Sequence, residues 1–277
     1  MLRVLRTLGT LLPSDRLRTF FYLQCIAAPR RVLRKALFEF YRYDHVYSVL
    51  KEFRSSCEGP FSILEFGTSA GYSFVKLLYA TRYLHMMDSV TVHGFDSFEG
   101  MPASADIRDA DVIGYGQWSE GQYRGDYEHL NEYCRSHGYR NFRLHRGRFD
   151  LTLTSDLVDS LRREPPILIW IDCDLYTSAR VVLERLLPVL RSGCVLYFDE
   201  LNNMNFGSRL TGEARLVHEI NAGLLGEDIE LVHDPELSLS SRRLYRFIRL
   251  SPGLSFLREK DNNPNFTRMP KNGSPLP

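Results

Sequence analysis

The segment ILIWIDCDLYTSARVVLERLLPVLRSGCVLYFDELNN, Ile167 to Asn203, holds two apolar runs that each end on acids. Asp172 and Asp174 close the first, Asp199 and Glu200 the second. Like charges placed side by side raise each other's pKa and cost stability, so the pattern calls for a chemical reason. The helical stretch SARVVLERLLPVL between the runs makes them consecutive strands of a βαβ unit, whose C-terminal ends lie near each other. The four acids can therefore converge on one edge of a sheet. A hard divalent cation resolves the repulsion, and an all-oxygen set favours Mg²⁺, Mn²⁺ or Ca²⁺ over zinc. A cation beside a hydroxyl lowers its pKa, and a neighbouring carboxylate can then take the proton. The alternative is that these acids cap the next helix or pair with Arg180 and Arg209.

A second constellation lies upstream. The turn EFGTSAG carries Gly67 and Gly71 with Thr68 between them, and Glu65 just before. A dinucleotide fingerprint needs G-x-G-x-x-G so that backbone amides can approach a pyrophosphate, and the middle and last glycines of that spacing are missing. The turn instead suits a cofactor with a cationic amino-acid end and no phosphate, such as S-adenosylmethionine (SAM). A glycine-containing βα turn with no ligand is the plain alternative. The next strand ends in Asp96, where an acid can accept hydrogen bonds from two ribose hydroxyls. As the plain alternative, Asp96 caps the turn that follows it.

These residues need strands to carry them. FSILEFG (61–67), SVTVHGFDSF (89–98), NFRLHRG, PPILIWID and GCVLYFD read as strands, the last two as continuous apolar runs of a sheet covered on both faces. AGYSFVKLLYATRYL, EHLNEYCRSHG, SARVVLERLLPVL and GEARLVHEINAGLL read as helices, with Thr177 or Ser178 as the expected cap of the third. IELVHD and RRLYRFIRL close the sheet. The alternation predicts a Rossmann-like α/β fold, a mostly parallel, doubly wound, seven-stranded sheet with helices on both faces and ligands at the strand C-termini. Residues 1–60 read as a helical N-terminal extension, 61–250 as the catalytic domain, and 251–277 as a loose tail rich in Pro and Asn.

The chain of 277 residues has a formal net charge of +1, which gives no support for a nucleic-acid partner. Its five cysteines are scattered without CxxC spacing and read as reduced thiols of a cytoplasmic protein. The basic, apolar N-terminus has no uncharged run of the roughly twenty residues a spanning helix needs. Its helices are expected to pack on the domain or to form a homodimer contact; attachment to a membrane surface through an Arg-rich face is the competing reading. The eight histidines are dispersed, and His218 reads as an ordinary helix residue.

In order along the chain, LEFGTSAGYS, GFDSFEGMP, RGRF, IDCDLYTS and LYFDE resemble the macrocin O-methyltransferase family over roughly residues 60–250. Those are class I, SAM- and Mg²⁺-dependent enzymes that methylate sugar hydroxyls. The resemblance implies Asp172, Asp199 and Glu200 as metal ligands and Asp174 as general base. It implies cofactor contacts from Glu65, Gly67, Asp96 and Ser97, and Thr68, Gly71 and Asp172 are expected to contact the cofactor with them. If the chain stays extended past the strand, Asp172 and Asp174 face the same side. The chain departs from the family at Glu200, where Asp is usual, and at LNNMNFGSR, which replaces an Asp-Tyr continuation. YGQWSEGQYRGDYEHL matches a segment that covers the family's site, with Trp118 and Tyr123 as candidate lid aromatics. The implied activity is transfer of a methyl group to a hydroxyl of a sugar or glycosylated metabolite. A catechol-type methyltransferase and a catalytically silent SAM-binding scaffold are the competing readings.

Overall fold

The computed structural model describes residues 11–21, 23, 44–56, 59–110, 112, 119–199, 201, 208–238 and 243–251. Glu200, Trp118 and the tail from 252 onward, all named above, lie outside the described residues. Seven strands form one sheet: β1 (Phe61–Phe66), β2 (Val90–Asp96), β3 (Phe142–Arg146), β4 (Pro166–Ile171), β5 (Val195–Phe198), β6 (Ile229–His233) and β7 (Arg243–Arg249). Their order is β3-β2-β1-β4-β5-β7-β6. The first five are mutually parallel, and β7 runs antiparallel to both β5 and β6. This is the expected mostly parallel sheet of a class I methyltransferase fold.

Eight helices are described: α1 (Asp15–Phe21), α2 (Asp44–Ser56), α3 (Tyr72–Tyr83), α4 (Tyr127–Ser136), α5 (Phe149–Thr152), α6 (Ser155–Ser160), α7 (Tyr176–Leu186) and α8 (Gly212–Asn221). They cover both faces, and side-chain alternation along each strand divides the core in two. Ile63, Val92, Leu168, Trp170, Val195 and Tyr197 join Val46, Val49, Phe74 and Leu130 on the face of α2, α3 and α4. Leu64, Phe66, Phe95, Ile169, Ile171 and Phe198 meet Leu153, Leu161, Val182 and Val217 on the face of α5 to α8. Burial on both sides explains why β1 and β4 are buried at every position.

Two local expectations change. Neither Thr177 nor Ser178 caps α7, which starts earlier, at Tyr176, with no side-chain cap at Leu175. The cap arrives from a 3₁₀ turn at Ile107–Asp109: the Asp109 carboxylate accepts from the Thr177 backbone N–H at 3.3 Å and from its hydroxyl at 2.7 Å. Nor does the chain stay extended past β4. Leu175 N–H turns back to the Cys173 carbonyl at 2.6 Å, and Asp174 sits at φ 62, so alternation no longer relates Asp174 to Asp172.

Candidate active site

The parallel strands end together, and every candidate residue that is described sits at that edge. β1 ends in Glu65 and Phe66, and the chain turns at Gly67 with φ 95. A Cβ there would lie 1.9 Å from the Asp172 carbonyl oxygen, so the turn closes onto the end of β4 only with glycine. Backbone bonds hold it from both sides: Gly67 N–H donates to Phe95 O at 3.0 Å, and Asp172 N–H to Phe66 O at 2.9 Å. Gly71, also left-handed at φ 80, is the N-cap of α3.

Glu65 lies fully buried on the α2/α3 face, and neither of its carboxylate oxygens has a hydrogen-bond partner. Burial pushes its pKa up to about 8, and the charges of Asp172 and Asp96 push the same way. The hydroxyls of Ser73 and Thr68 pull it down without completing a bond of normal geometry. Thr68 Oγ1 is buried and likewise has no partner. Buried polar groups are normally satisfied, so these orphaned atoms beside a glycine turn fit a cationic, hydrogen-bonding ligand end such as the ammonium of SAM.

Asp96 ties the first two turns together. One carboxylate oxygen accepts from Ser69 N–H at 2.7 Å and the other from Phe98 N–H at 2.6 Å. Burial raises its pKa, and these two amides lower it. A carboxylate accepts about four hydrogen bonds, so capacity for ribose hydroxyls remains. Ser97 next to it bonds within its own turn, to Gly100 O and Glu99 N–H.

Asp172 and Asp199 follow β4 and β5 at paired positions. Ile171 is in register with Phe198, and Asp199 N–H donates to Ile171 O at 3.1 Å. Asp172 accepts from Trp170 Nε1 at 3.3 Å, and Asp199 from the Tyr197 hydroxyl. The Arg180 guanidinium does not neutralise them. It bonds Glu184 at 2.7 Å, Tyr176 and Glu219. Among the described residues no group of three or more His, Cys, Asp or Glu side chains is arranged to hold a metal ion. Two oxygen-donor acids at adjoining strand ends still suit the start of a hard-cation site, with Glu200 outside the described residues.

Asp174 is half-buried in the turn after β4. Ser69, Phe98, Tyr123 and Asp174 are four of the five non-glycine residues with positive φ among the described residues, and all four lie in turns at this edge. Such conformations cost energy and gather at functional sites. Glu219 of α8 is a buried acid that escaped the sequence reading, and Asp109 and Glu213 are two more. The charges of the last two, with those of Asp174 and Asp172, reinforce the burial that drives the Cys173 thiol well above its ordinary pKa. No local pattern marks either one, because Asp109 acts on Thr177, 68 positions away. His218 is exposed on α8, away from this edge's buried groups.

The seven-stranded sheet, with a glycine turn after β1 and an acid at the end of β2, has the class I methyltransferase fold. Residues 64–201, Leu64 through Leu201, match the family model described as Methyltransferase domain. Among solved structures, the chain is similar to the calicheamicin methyltransferase CalS11, with 21% identity, a TM-score of 0.55, and 88% of this chain and 90% of that one covered. It is also similar to the O-methyltransferase NovP, with 19% identity, a TM-score of 0.54, and 75% and 79% covered. At these identities the likeness is one of fold. No curated protein matches the sequence. Among the described residues, no helix is long and apolar enough to cross a membrane.

Proposed function

We propose that the protein is a Mg²⁺-dependent O-methyltransferase, of the macrocin O-methyltransferase type, acting on a hydroxyl of a sugar or glycosylated metabolite. The observation that carries the reading is the Asp172–Asp199 pair at adjoining strand ends, bonded through Asp172 N–H to the same β1 turn that forms the cofactor cradle. The name of the fold relative NovP supports oxygen as the accepting atom. Glu65 would hold the ammonium end of SAM, and Asp96 its ribose. Asp172 and Asp199, with Glu200 from the resemblance, would hold the metal, which supplies a lowered pKa at an acceptor hydroxyl. Asp174, in the turn between β4 and α7, would take the proton. The turns at Gly67 and Asp174, both with positive φ, would hold these groups around an acceptor oxygen brought up to the methyl carbon.

The test is intact-mass analysis of sugars, glycosides and catechols incubated with the protein, SAM and Mg²⁺. The expected result is one added methyl on a sugar or glycoside, abolished by a chelator. Methylation of catechols alone would replace this reading with the catechol-type one. Methyl transfer unaffected by chelation would remove the metal from it.

A further inference from the structure

Two aromatic side chains stand behind the two acids. Trp170 and Tyr197 are register partners on β4 and β5, both fully buried, with ring centroids 3.8 Å apart. Each donates to the acid two residues farther along its own chain: Trp170 Nε1 to Asp172 Oδ2 at 3.3 Å, and the Tyr197 hydroxyl to Asp199 Oδ1. His45 of α2 stacks on both rings, 5.5 Å from Trp170 and 5.1 Å from Tyr197. Phe or Leu would fill the core at 170 and 197 with no polar atom to satisfy, and a buried indole N–H or phenol hydroxyl is costly unless bonded. The two donors at one register therefore serve the two acids.

We infer that Trp170 and Tyr197 are positioning residues for a divalent cation held by Asp172 and Asp199, each fixing one carboxylate oxygen. The inference rests on the metal-dependent reading above and adds two residues to it. Hydrogen bonds behind metal ligands orient them, and their loss lowers metal affinity about 10–100-fold. Tyr197 contributes more than Trp170. Both donors meet a carboxylate, but 3.3 Å is long for N–H···O, which weakens the Trp170 bond.

The experiment titrates the full chain with Mn²⁺, without SAM, counting free ion by its paramagnetic resonance signal. The chain has two tryptophans, so Trp118→Phe leaves Trp170 as the one emitter. In that background, bound Mn²⁺ should quench the emission and Mg²⁺ should reverse the quenching. Tyr197→Phe, which removes one oxygen from a packed ring, should weaken Mn²⁺ binding by about tenfold or more, and Trp170→Phe by less. Affinity for S-adenosylhomocysteine should stay within about twofold in both, which separates positioning from general loosening of the core. Wild-type Mn²⁺ affinity in both variants would overturn the positioning role alone. Loss of homocysteine-cofactor binding in step with Mn²⁺ binding would overturn it too. Failure of the wild type to bind Mn²⁺ would remove the metal reading and this role with it.

Discussion

Gly125→Ala should break the proposed cofactor cradle from a distance, and the structure sets the size of the effect. Residues 119–126 cross the turns after β1 and β2. Gly121 N–H donates to Met101 O at 2.9 Å, Met101 N–H to Gln122 O at 2.8 Å, Arg124 Nε to Glu99 O at 2.7 Å, and the Ser69 hydroxyl to Tyr123 O at 2.7 Å. A Cβ on Gly125 would lie 2.0 Å from Ser69 O, about 1.4 Å short of ordinary contact, and the atoms it meets are backbone. Either the crossing segment lifts or Ser69 moves. The bonds at risk are Ser69 hydroxyl to Tyr123 O, worth about 1 kcal/mol, and Ser69 N–H to the Asp96 carboxylate, worth about 1.5–3 kcal/mol. Part of that loss falls on stability and part on binding. At about 1.4 kcal/mol per tenfold, affinity for S-adenosylhomocysteine should drop at least about tenfold, measured by calorimetry. Gly121→Ala is the control. It carries φ 76 in open space, so alanine there adds local strain of about 1–2 kcal/mol without touching Ser69, and affinity should hold. Unchanged affinity in Gly125→Ala, or equal losses in both variants, would refute the argument.

Other outcomes follow from the same geometry. Asp96→Asn offers an amide where two backbone N–H groups already point, and it removes the charge. Cofactor affinity should fall by about 1–3 kcal/mol in calorimetry, and wild-type affinity would exclude Asp96 from the cradle. Asp172→Asn should weaken metal binding and regain activity in excess Mg²⁺. Asp174→Asn should keep metal and cofactor affinity but lose about 10²–10⁴-fold in kcat, whereas lost Mg²⁺ affinity with normal saturated turnover would make Asp174 a ligand instead. His93 and His145 share one hydrogen bond at 3.0 Å, and burial pushes them down to about 3 and about 4; His145 and Arg143 add to the effect on His93, and Arg143 to that on His145. Their folded values lie below the ordinary 6.5, so the unfolded chain binds more protons as pH falls. Stability is therefore complete above about 6.5 and declines toward 4, by about 1.4 kcal/mol per pH unit for each proton taken up. Denaturant midpoints at several pH values should show this slope and its flattening in His145→Gln; equal midpoints across the range would contradict it.

What could be read from the residues alone was periodic. The apolar runs of β1, β4 and β5 report burial on both faces, and Gly138, at φ 73 beyond the His137 cap of α4, marks a helix end by its chemistry. The acids at the strand ends were legible because parallel strands must end together. What escaped is made by chain-distant contacts that leave no period. Thr177 looked like its own helix's cap, but the cap is Asp109, and no spacing rule links them. Asp172 and Asp174 looked like alternating strand residues because an i, i+2 pair carries no sign of a left-handed turn. The cradle shows the same principle at full length. Thr19 on α1 accepts from Asp126 N–H at 3.0 Å, Asp126 caps α4 through His129 N–H, Gly125 presses on Ser69, and Ser69 bonds Asp96. Six positions from four parts of the chain thus set the height of one turn. A glycine such as Gly125, whose φ lies outside the left-handed region, reads in the sequence as a loop residue, and only the close approach of the Ser69 carbonyl shows why a side chain is excluded there.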